Sequence, residues 1–332
     1  MKKCLNCMSE MAVNDPVCPL CGWGGQENEE GCLPTGTILQ GRYIIGVCRQ
    51  IRSADIQYMA WDALFSQKVY VMEYFPGEIV RRSGSCQVQA ESGEEELLEK
   101  GISCFLGQKD LLVRLDGIHG LLNVLAGFQE NHTAYMVLEY PGDRSLRDVL
   151  ETEGPWDLAR TKRLLKNLVR PLAAAYQNRT LHGQVTLDCC YLTGQGNFKI
   201  GFFNEALFLT DPDPDYQEEK AQRSADCFGL AHIVGAALVG VELWERQPVD
   251  DSIELLEETL PQCALDVLVD AMNEEMSCRI DSPQMFQDRF LDEVTVELPK
   301  EGSQLKNRKN MKNRGDGLMG IRTRSDGKRK GV

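Results

Sequence analysis

The chain of 332 residues is 42% hydrophobic and 26% charged, which is ordinary for a globular protein and excludes a wholly disordered chain. This length accommodates one domain of about 250 residues with small appendages. The formal net charge is −14. The longest apolar run, residues 229–241, is too short to span a bilayer. Because Met-Lys-Lys at the N-terminus leads into Cys4 rather than into an apolar stretch, we expect a cytoplasmic protein without a transmembrane segment.

Four cysteines near the N-terminus form two pairs, Cys4 with Cys7 and Cys18 with Cys21, separated by ten residues. Two such knuckles supply four thiolates for the closed tetrahedral site that structural Zn²⁺ prefers. The intervening residues are too few to bury a core unaided, so metal binding would drive folding. We therefore predict a zinc ribbon over residues 1–24. A catalytic metal fits less well, because a catalytic site leaves one coordination position open.

The region that follows the cysteines lacks apolar periodicity and carries glycine and charge, so residues 25–38 are predicted to form a linker. The ribbon itself contains two basic residues, Lys2 and Lys3, and no arginine. Zinc ribbons that bind nucleic acid need a basic or aromatic surface. We therefore expect a protein-interaction or packing role for this ribbon rather than nucleic-acid binding.

Four segments in the next part of the chain carry a recognisable pattern. They are Leu33-Pro-Thr-Gly-Thr-Ile-Leu-Gln-Gly-Arg-Tyr-Ile-Ile-Gly46, Tyr58-Met-Ala-Trp-Asp62, Val69-Tyr-Val-Met-Glu-Tyr-Phe-Pro76 and Ala134-Tyr-Met-Val-Leu-Glu-Tyr140. The first three resemble strands of bacterial serine/threonine protein kinases with an N-terminal zinc ribbon, in which the third strand reads Val-Ala-Ile-Lys-Glu-Tyr-Phe-Pro. The fourth resembles the strand that leads into the hinge between the lobes. The resemblance implies an α+β, two-lobed protein kinase-like domain over residues 39–295, with a small β-rich N-lobe at 39–140 and a helical C-lobe at 141–295.

The N-lobe residues that bind ATP in this family are replaced. An active kinase places glycines between the first two strands so that backbone amides can close over the phosphates. In this chain the glycine positions correspond to Gln50, Arg52, Ser53 and Asp55. The lysine of the third strand corresponds to Met72. In the family, a helix supplies the glutamate that pairs with this lysine. Phe105-Leu-Gly-Gln-Lys109 resembles that helix, which places Gln108 at the glutamate position.

The catalytic segment shows the same loss. His182-Gly-Gln-Val-Thr-Leu-Asp-Cys-Cys-Tyr-Leu192 and Lys199-Ile-Gly-Phe-Phe203 resemble the kinase pattern His-Arg-Asp, Asn and Asp-Phe-Gly. The base position is Gln184, which has no basic carboxylate. The two Mg²⁺-ligand positions are Cys189, a soft ligand, and Gly201, which has no side chain. The resemblance therefore implies that the chain has no catalytic residues and does not bind Mg-ATP.

Other family landmarks remain and are expected to be structural. His182 corresponds to a core histidine, Asp226 to a buried helix aspartate and Arg279 to an arginine that usually pairs with a glutamate. Apolar residues at helical spacing predict a packed amphipathic helix from about Trp156 to Tyr176. The apolar run at residues 229–241 predicts the central helix of the C-lobe.

Residues 296–332 are predicted to form a basic, disordered tail. From Lys300 onward, eleven Lys or Arg stand against three acidic residues, a local balance of +8. The segment is also rich in Asn and Gly, with few apolar residues. We expect no dedicated ligand for this tail. The alternatives are docking on the acidic body of the chain, on anionic lipid or on nucleic acid.

These observations favour a pseudokinase, a catalytically inactive kinase homologue that acts as a protein-binding scaffold or regulator in bacterial signalling. An alternative is a kinase or other nucleotide-dependent transferase with relocated catalytic groups, in which Arg49 or Arg52 replaces the lost lysine. A second alternative is a nucleic-acid-binding protein that uses the ribbon and tail, whose binding would depend steeply on salt.

Overall fold

An antiparallel sheet of six strands and a group of helices make up most of the described chain. The computed structural model describes residues 1–178, 180–183, 185–201, 216–246, 249–273, 275 and 279–294. Within these ranges the sheet comes first along the sequence and most helices follow it. The architecture is a mixed α/β fold.

The elements are numbered here in chain order within the described ranges. The strands are β1 (Lys2–Lys3), β2 (Glu10–Met11), β3 (Ile38–Leu39), β4 (Tyr43–Ile51), β5 (Asp55–Asp62), β6 (Gln67–Tyr74), β7 (Val80–Ser83), β8 (Gln87–Ala90), β9 (Val124–Glu130), β10 (Thr133–Glu139), β11 (Cys190–Leu192) and β12 (Phe198–Ile200). The helices are α1 (Glu95–Val113), α2 (Leu146–Glu153), α3 (Leu158–Gln177), α4 (Tyr216–Val239), α5 (Val241–Glu245), α6 (Val249–Glu254), α7 (Gln262–Met272) and α8 (Pro283–Glu293). A short 3-10 helix, Leu187–Cys189, precedes β11.

The large sheet has the strand order β3-β4-β5-β6-β10-β9. Its central strands are buried on both faces, and most of their residues are apolar or aromatic. Successive side chains in a strand point to opposite faces. On β6, Tyr70, Met72 and Tyr74 therefore share one face. This face contacts α1, since the ring of Tyr74 lies 5.7 Å from that of Phe105.

A buried charge network lies on the other face of β6. The carboxylate of Glu73 is fully buried and accepts hydrogen bonds from the hydroxyls of Tyr58 (2.7 Å) and Tyr135 (2.9 Å) and from Arg82 Nη2 (2.7 Å). Burial and the neighbouring carboxylate raise the pKa of Tyr58, so its hydroxyl remains a donor. Arg82 also donates to the carbonyl of Gly31 over 2.8 Å. The network thus attaches the predicted linker segment to the sheet.

The two helices predicted from apolar spacing are present. α3 begins after Asp157, whose carboxylate accepts a hydrogen bond from the amide of Arg160 over 2.7 Å and so caps the helix. α4 contains most of the predicted apolar run. It ends before Gly240, which has a φ of 101°, a left-handed value that favours glycine.

The sheet with α1 and the helices with β11 and β12 form separate hydrophobic clusters, and Leu112 of α1 packs against both. Lys199 of β12 forms an ion pair with Glu139 at the end of β10, where the two parts of the chain meet. Among the described helices, none combines the length and apolarity needed to cross a bilayer.

Candidate functional site

Among the positions that the sequence singled out, Met72 lies on β6, Gln108 on α1 and Cys189 directly before β11. Met72, Gln108 and Cys189 are all buried. The amide of Gly201 donates to the carbonyl of Cys189 over 3.0 Å, so the two positions that the family resemblance assigns to Mg²⁺ are adjacent. Gln184 and the basic tail at residues 296–332 lie outside the described residues, as does Phe202 of the motif.

Leu122 fills the space beside Gly201. A Cβ atom added at position 201 would lie 2.1 Å from Leu122 Cδ1 and 2.7 Å from Cγ. The backbone of Leu122 is fixed there, because its amide donates to the carbonyl of Ile200 over 2.9 Å. An aspartate at position 201 would therefore require Leu122 to move. The position lacks both the metal ligand and the room for one.

Cys189 is engaged within its own turn. Its Sγ accepts a hydrogen bond from the amide of Thr186 and contacts the carbonyl of the same residue, both at 3.2 Å. This pattern caps the short helix that precedes β11. The thiol therefore has a local structural role.

The frame that holds this segment is intact. His182 Nε2 lies 2.8 Å from the carbonyl oxygen of Gly201. The carboxylate of Asp226 on α4 accepts hydrogen bonds from the amides of His182 (3.0 Å) and Gly183 (2.6 Å) and from the hydroxyl of Tyr176 (3.2 Å). Burial raises the pKa of Asp226 to about 6, although the His182 charge and these hydrogen bonds act in the opposite direction. Both residues have the structural positions that the sequence predicted.

Arg279, the remaining predicted landmark, makes two described contacts. Its Nε donates to the carbonyl of Asn273, and its guanidinium lies 4.7 Å from the ring centroid of Phe228. Pairing with a glutamate stays a prediction.

The hairpin of β4 and β5 closes tightly where a kinase needs a glycine-rich loop. Pairing continues to Ile51 and Ile56, and the amide of Arg52 donates to the carbonyl of Asp55 over 2.8 Å. The Arg52 side chain donates to the Asp55 carboxylate through Nε over 3.0 Å. The side chain of Arg49 donates instead to the carbonyl of Asn6 over 2.7 Å. Both arginines considered as lysine substitutes are thus engaged in other contacts.

Three tyrosines fill the interface between the sheet and β11. The ring centroid of Tyr70 lies 5.7 Å from that of Tyr140 and 5.8 Å from that of Tyr191. Tyr70 is two residues before Met72 on the same face of β6, and Tyr191 is two residues after Cys189. Burial raises the pKa of Tyr70 to about 12, so its hydroxyl is neutral at physiological pH.

Sequence reasoning missed this tyrosine cluster. The signal was present, because Tyr70 stands where the family strand reads Ala in Val-Ala-Ile-Lys. A bulky ring in place of a methyl group changes the space available beside it.

The second candidate site is the group of four cysteines at the N-terminus. Cys4, Cys7, Cys18 and Cys21 have sulfur atoms that all lie within 4.8 Å of one another. The Sγ atoms of Cys4 and Cys21 are 3.6 Å apart, and those of Cys7 and Cys18 are 3.8 Å apart. A regular tetrahedron with Zn–S bonds of about 2.3 Å has its sulfurs about 3.8 Å apart. The four sulfurs therefore fit a tetrahedral metal ion.

Local hydrogen bonds favour the thiolate form of one cysteine in this cluster, whereas burial raises the pKa of Cys4 to about 12. The backbone amide of Cys21 is the main cause that lowers the pKa of Cys18 to about 6, with a further contribution from the hydroxyl of Ser9. Metal ligands must be deprotonated, so a lowered thiol pKa assists binding near neutral pH. The cluster could hold a metal ion.

Comparison with known proteins places the fold. The arrangement of the sheet and the helices is that of a protein kinase-like fold. A solved structure titled "PpkA-294 apo form" matches it with a TM-score of 0.59 and 21% sequence identity, covering 78% of this chain and 99% of that chain. PpkA is a bacterial serine/threonine kinase. No family profile matches the chain, and no curated protein matches it.

Proposed function

We propose that the chain is a two-lobed pseudokinase with an N-terminal zinc ribbon, which acts in bacterial signalling by binding other proteins. The observation that carries this proposal is the contact between Tyr70 and Tyr191, whose ring centroids are 5.8 Å apart. By the family resemblance a nucleotide would lie between Met72 and Cys189, and the two rings belong to residues two positions away from these. The separate hydrophobic clusters of the sheet and the helices support the two-lobed arrangement.

The charges that phosphoryl transfer needs are missing from the same interface. Transfer depends on positioning and on electrostatic stabilisation by a lysine and by metal ions that carboxylate and amide oxygens hold. Met72, Cys189 and Gly201 supply neither a cation nor an oxygen ligand. Leu122 occupies the room beside Gly201. Several independent features thus support inactivity.

Relocated catalytic groups are less consistent with the contacts. Arg52 forms an ion pair with Asp55, whose carboxylate is itself buried, at 3.0 Å. Using Arg52 for phosphate would leave that carboxylate buried without its partner, which is unfavourable. Arg49 would have to give up its hydrogen bond to the N-terminal segment. A scaffold role therefore has more support than a relocated kinase.

We assign the four-cysteine cluster to structural zinc. Four thiolates leave no open position for a substrate or water, which is typical of structural rather than catalytic zinc. When bound, the ion would cross-link residues that otherwise bury little apolar surface.

A protein partner is favoured over nucleic acid because the two lysines of the ribbon are already engaged. Lys3 Nζ lies 3.6 Å from the ring centroid of Trp61 and 3.5 Å from Glu10. Lys2 Nζ donates to the carbonyl of Asp15 over 3.1 Å. The ribbon therefore presents little free positive charge to a phosphate backbone.

Nucleotide binding decides between the scaffold and the enzyme. The melting temperature of the purified chain would be measured with ATP, with and without Mg²⁺, beside an active serine/threonine kinase domain as positive control. A ligand at about one hundred times its dissociation constant adds about 2.7 kcal/mol of stability. We expect no Mg²⁺-dependent rise for this chain. A clear rise, or phosphate transfer to a generic acceptor, would favour the enzyme instead.

A further inference from the structure

The outer edge of strand β4 is covered by the N-terminal segment. Among the described strands, β3 pairs with this edge at Ile44 and Tyr43. Beyond that point the chain continues as β4 to Ile51, and its edge would present unpaired amides and carbonyls to solvent. Exposed strand edges invite non-native pairing, so proteins commonly cover them. Here the cover comes from the first cysteine knuckle and from residues that follow the ribbon.

The first knuckle provides two backbone acceptors for β4. The amide of Val47 donates to the carbonyl of Leu5 over 2.9 Å, and Arg49 Nη2 donates to the carbonyl of Asn6 over 2.7 Å. Leu5 and Asn6 are the two residues between the cysteines at positions 4 and 7. The turn that a bound metal would fix is therefore the turn that presents both carbonyls to the sheet.

Gly46 allows the knuckle to approach closely. A Cβ atom at this position would lie 2.0 Å from the carbonyl oxygen of Leu5 and 2.4 Å from Met8 Cε. Met8, which follows the knuckle, is buried within the hydrophobic cluster of the sheet. The knuckle and the sheet thus share one packed interface, and side-chain rearrangement alone cannot make room for a larger residue at position 46.

We propose that zinc occupancy of the four-cysteine cluster and the conformation of the β4–β5 hairpin are thermodynamically linked. Zinc holds the first knuckle against β4, and loss of zinc releases the edge of the strand that carries the closed hairpin. The proposal rests on the zinc ribbon proposed above. Because linkage is reciprocal, zinc favours docking by the same factor by which docking favours zinc, so a change on β4 that prevents docking must weaken zinc binding by that factor. The ribbon then packs as part of the sheet, and the conformation of β4 depends on whether zinc is bound.

The reciprocal effect is tested in the full-length chain by competition for zinc with a chromophoric chelator. We expect Gly46→Ala to lower zinc affinity roughly tenfold, a typical size for coupling between two sites. Gly77→Ala is the matched control, because a Cβ at Gly77 meets no described atom within 4 Å. Its zinc affinity should equal that of the unmodified chain. Arg49→Ala, a milder change at an exposed residue, should lower the affinity in the same direction if Gly46→Ala does not fold.

Hydrogen exchange tests the forward effect. Zinc removal should speed exchange of the Val47 and Cys48 amides, while the central strand β10 should keep its protection. Zinc affinity unchanged in both Gly46→Ala and Arg49→Ala, or Val47 exchange unaffected by zinc removal, would overturn the linkage and leave the zinc ribbon standing. A zinc stoichiometry near zero in the unmodified chain, even after expression with added zinc, would overturn both proposals.

Discussion

Leu122 occupies the space in which an aspartate at position 201 would place its side chain, with 2.1 Å between Leu122 Cδ1 and a Cβ built on Gly201. Packing thus fills the position that the family resemblance assigns to a metal ligand. An aspartate introduced at position 201 would displace the buried Leu122. The substitution should therefore lower the free energy of unfolding.

We expect Gly201→Asp to lower the free energy of unfolding by about 3 kcal/mol, because it overpacks the site and buries a carboxylate. Leu122→Ala should cost less stability in this background than in the unmodified chain, with a coupling energy of about 1 kcal/mol in a double-mutant cycle. Urea unfolding measures both values. The control is Gly194→Asp, at an exposed glycine where a Cβ meets no described atom within 4 Å. Additive effects of the two changes would contradict the packing account.

The tyrosine cluster predicts a second outcome. Tyr70→Ala should lower the free energy of unfolding by about 3 kcal/mol, since a large buried ring is removed. It should not confer Mg²⁺-dependent ATP binding, because Met72 and Gly201 still supply neither cation nor ligand. Thermal shift with ATP, with and without Mg²⁺, provides the measurement. Tyr70→Phe keeps the ring and is the matched control. ATP stabilisation that appears in Tyr70→Ala and needs Mg²⁺ would show that the rings alone block a competent site.

A pH-dependent prediction follows from Asp62. Its buried carboxylate accepts hydrogen bonds from Arg42 Nε (2.8 Å) and Nη2 (2.7 Å), and this pairing holds the pKa of Asp62 below its ordinary value of 3.8. A carboxyl whose pKa is lower in the folded state adds stability above its unfolded pKa, and this is lost as pH falls through the folded value. At pH 7, Asp62→Asn should cost about 2 kcal/mol.

The difference in free energy of unfolding between Asp62→Asn and the unmodified chain should then become smaller below pH 3.8. Urea unfolding from pH 7 to pH 3 measures it. A constant difference across this range would mean that geometry, and not ionisation, accounts for the effect.

A further prediction concerns Asn28, which attaches the segment after the ribbon to strand β4. Its amide nitrogen donates to the carbonyls of Leu33 (2.8 Å) and Gly46 (3.0 Å), and its oxygen accepts from the amide of Cys48 (2.7 Å). Asn28→Ala should lower the free energy of unfolding by about 2 kcal/mol, since three backbone groups lose their partner. The neighbouring exposed residue Gln26, changed to Ala, should have an effect within about 0.5 kcal/mol. Chemical denaturation compares the two, and equal effects would contradict this role.

The kinase-like fold and the two long helices α3 and α4 could be predicted because their signals are local. Apolar spacing predicted α3. The segments that resemble kinase strands form strands in the structure, in the same order along the chain. The sulfur positions of the cysteine cluster followed from spacing in the same way. For the degenerate positions Met72, Gln108 and Cys189, the sequence predicted side-chain identity, and the structure adds that all three are buried.

Other features depend on contacts between distant residues. Tyr70 and Tyr191 are far apart in the sequence, and either could have been an isolated core aromatic. The segment at residues 25–38 has no apolar periodicity, because polar groups such as those of Asn28 attach it to the sheet. The role of Gln184 and the disorder of the tail at residues 296–332 stay predictions.

Glu73 and Arg82 have a consequence for strand alignment. Glu73 follows Met72 directly, so a shift of β6 by one residue would turn the carboxylate to the opposite face of the sheet. It would then lose Arg82, Tyr58 and Tyr135, and an unpaired buried charge is disfavoured by several kcal/mol. The ion pair therefore selects one register for β6.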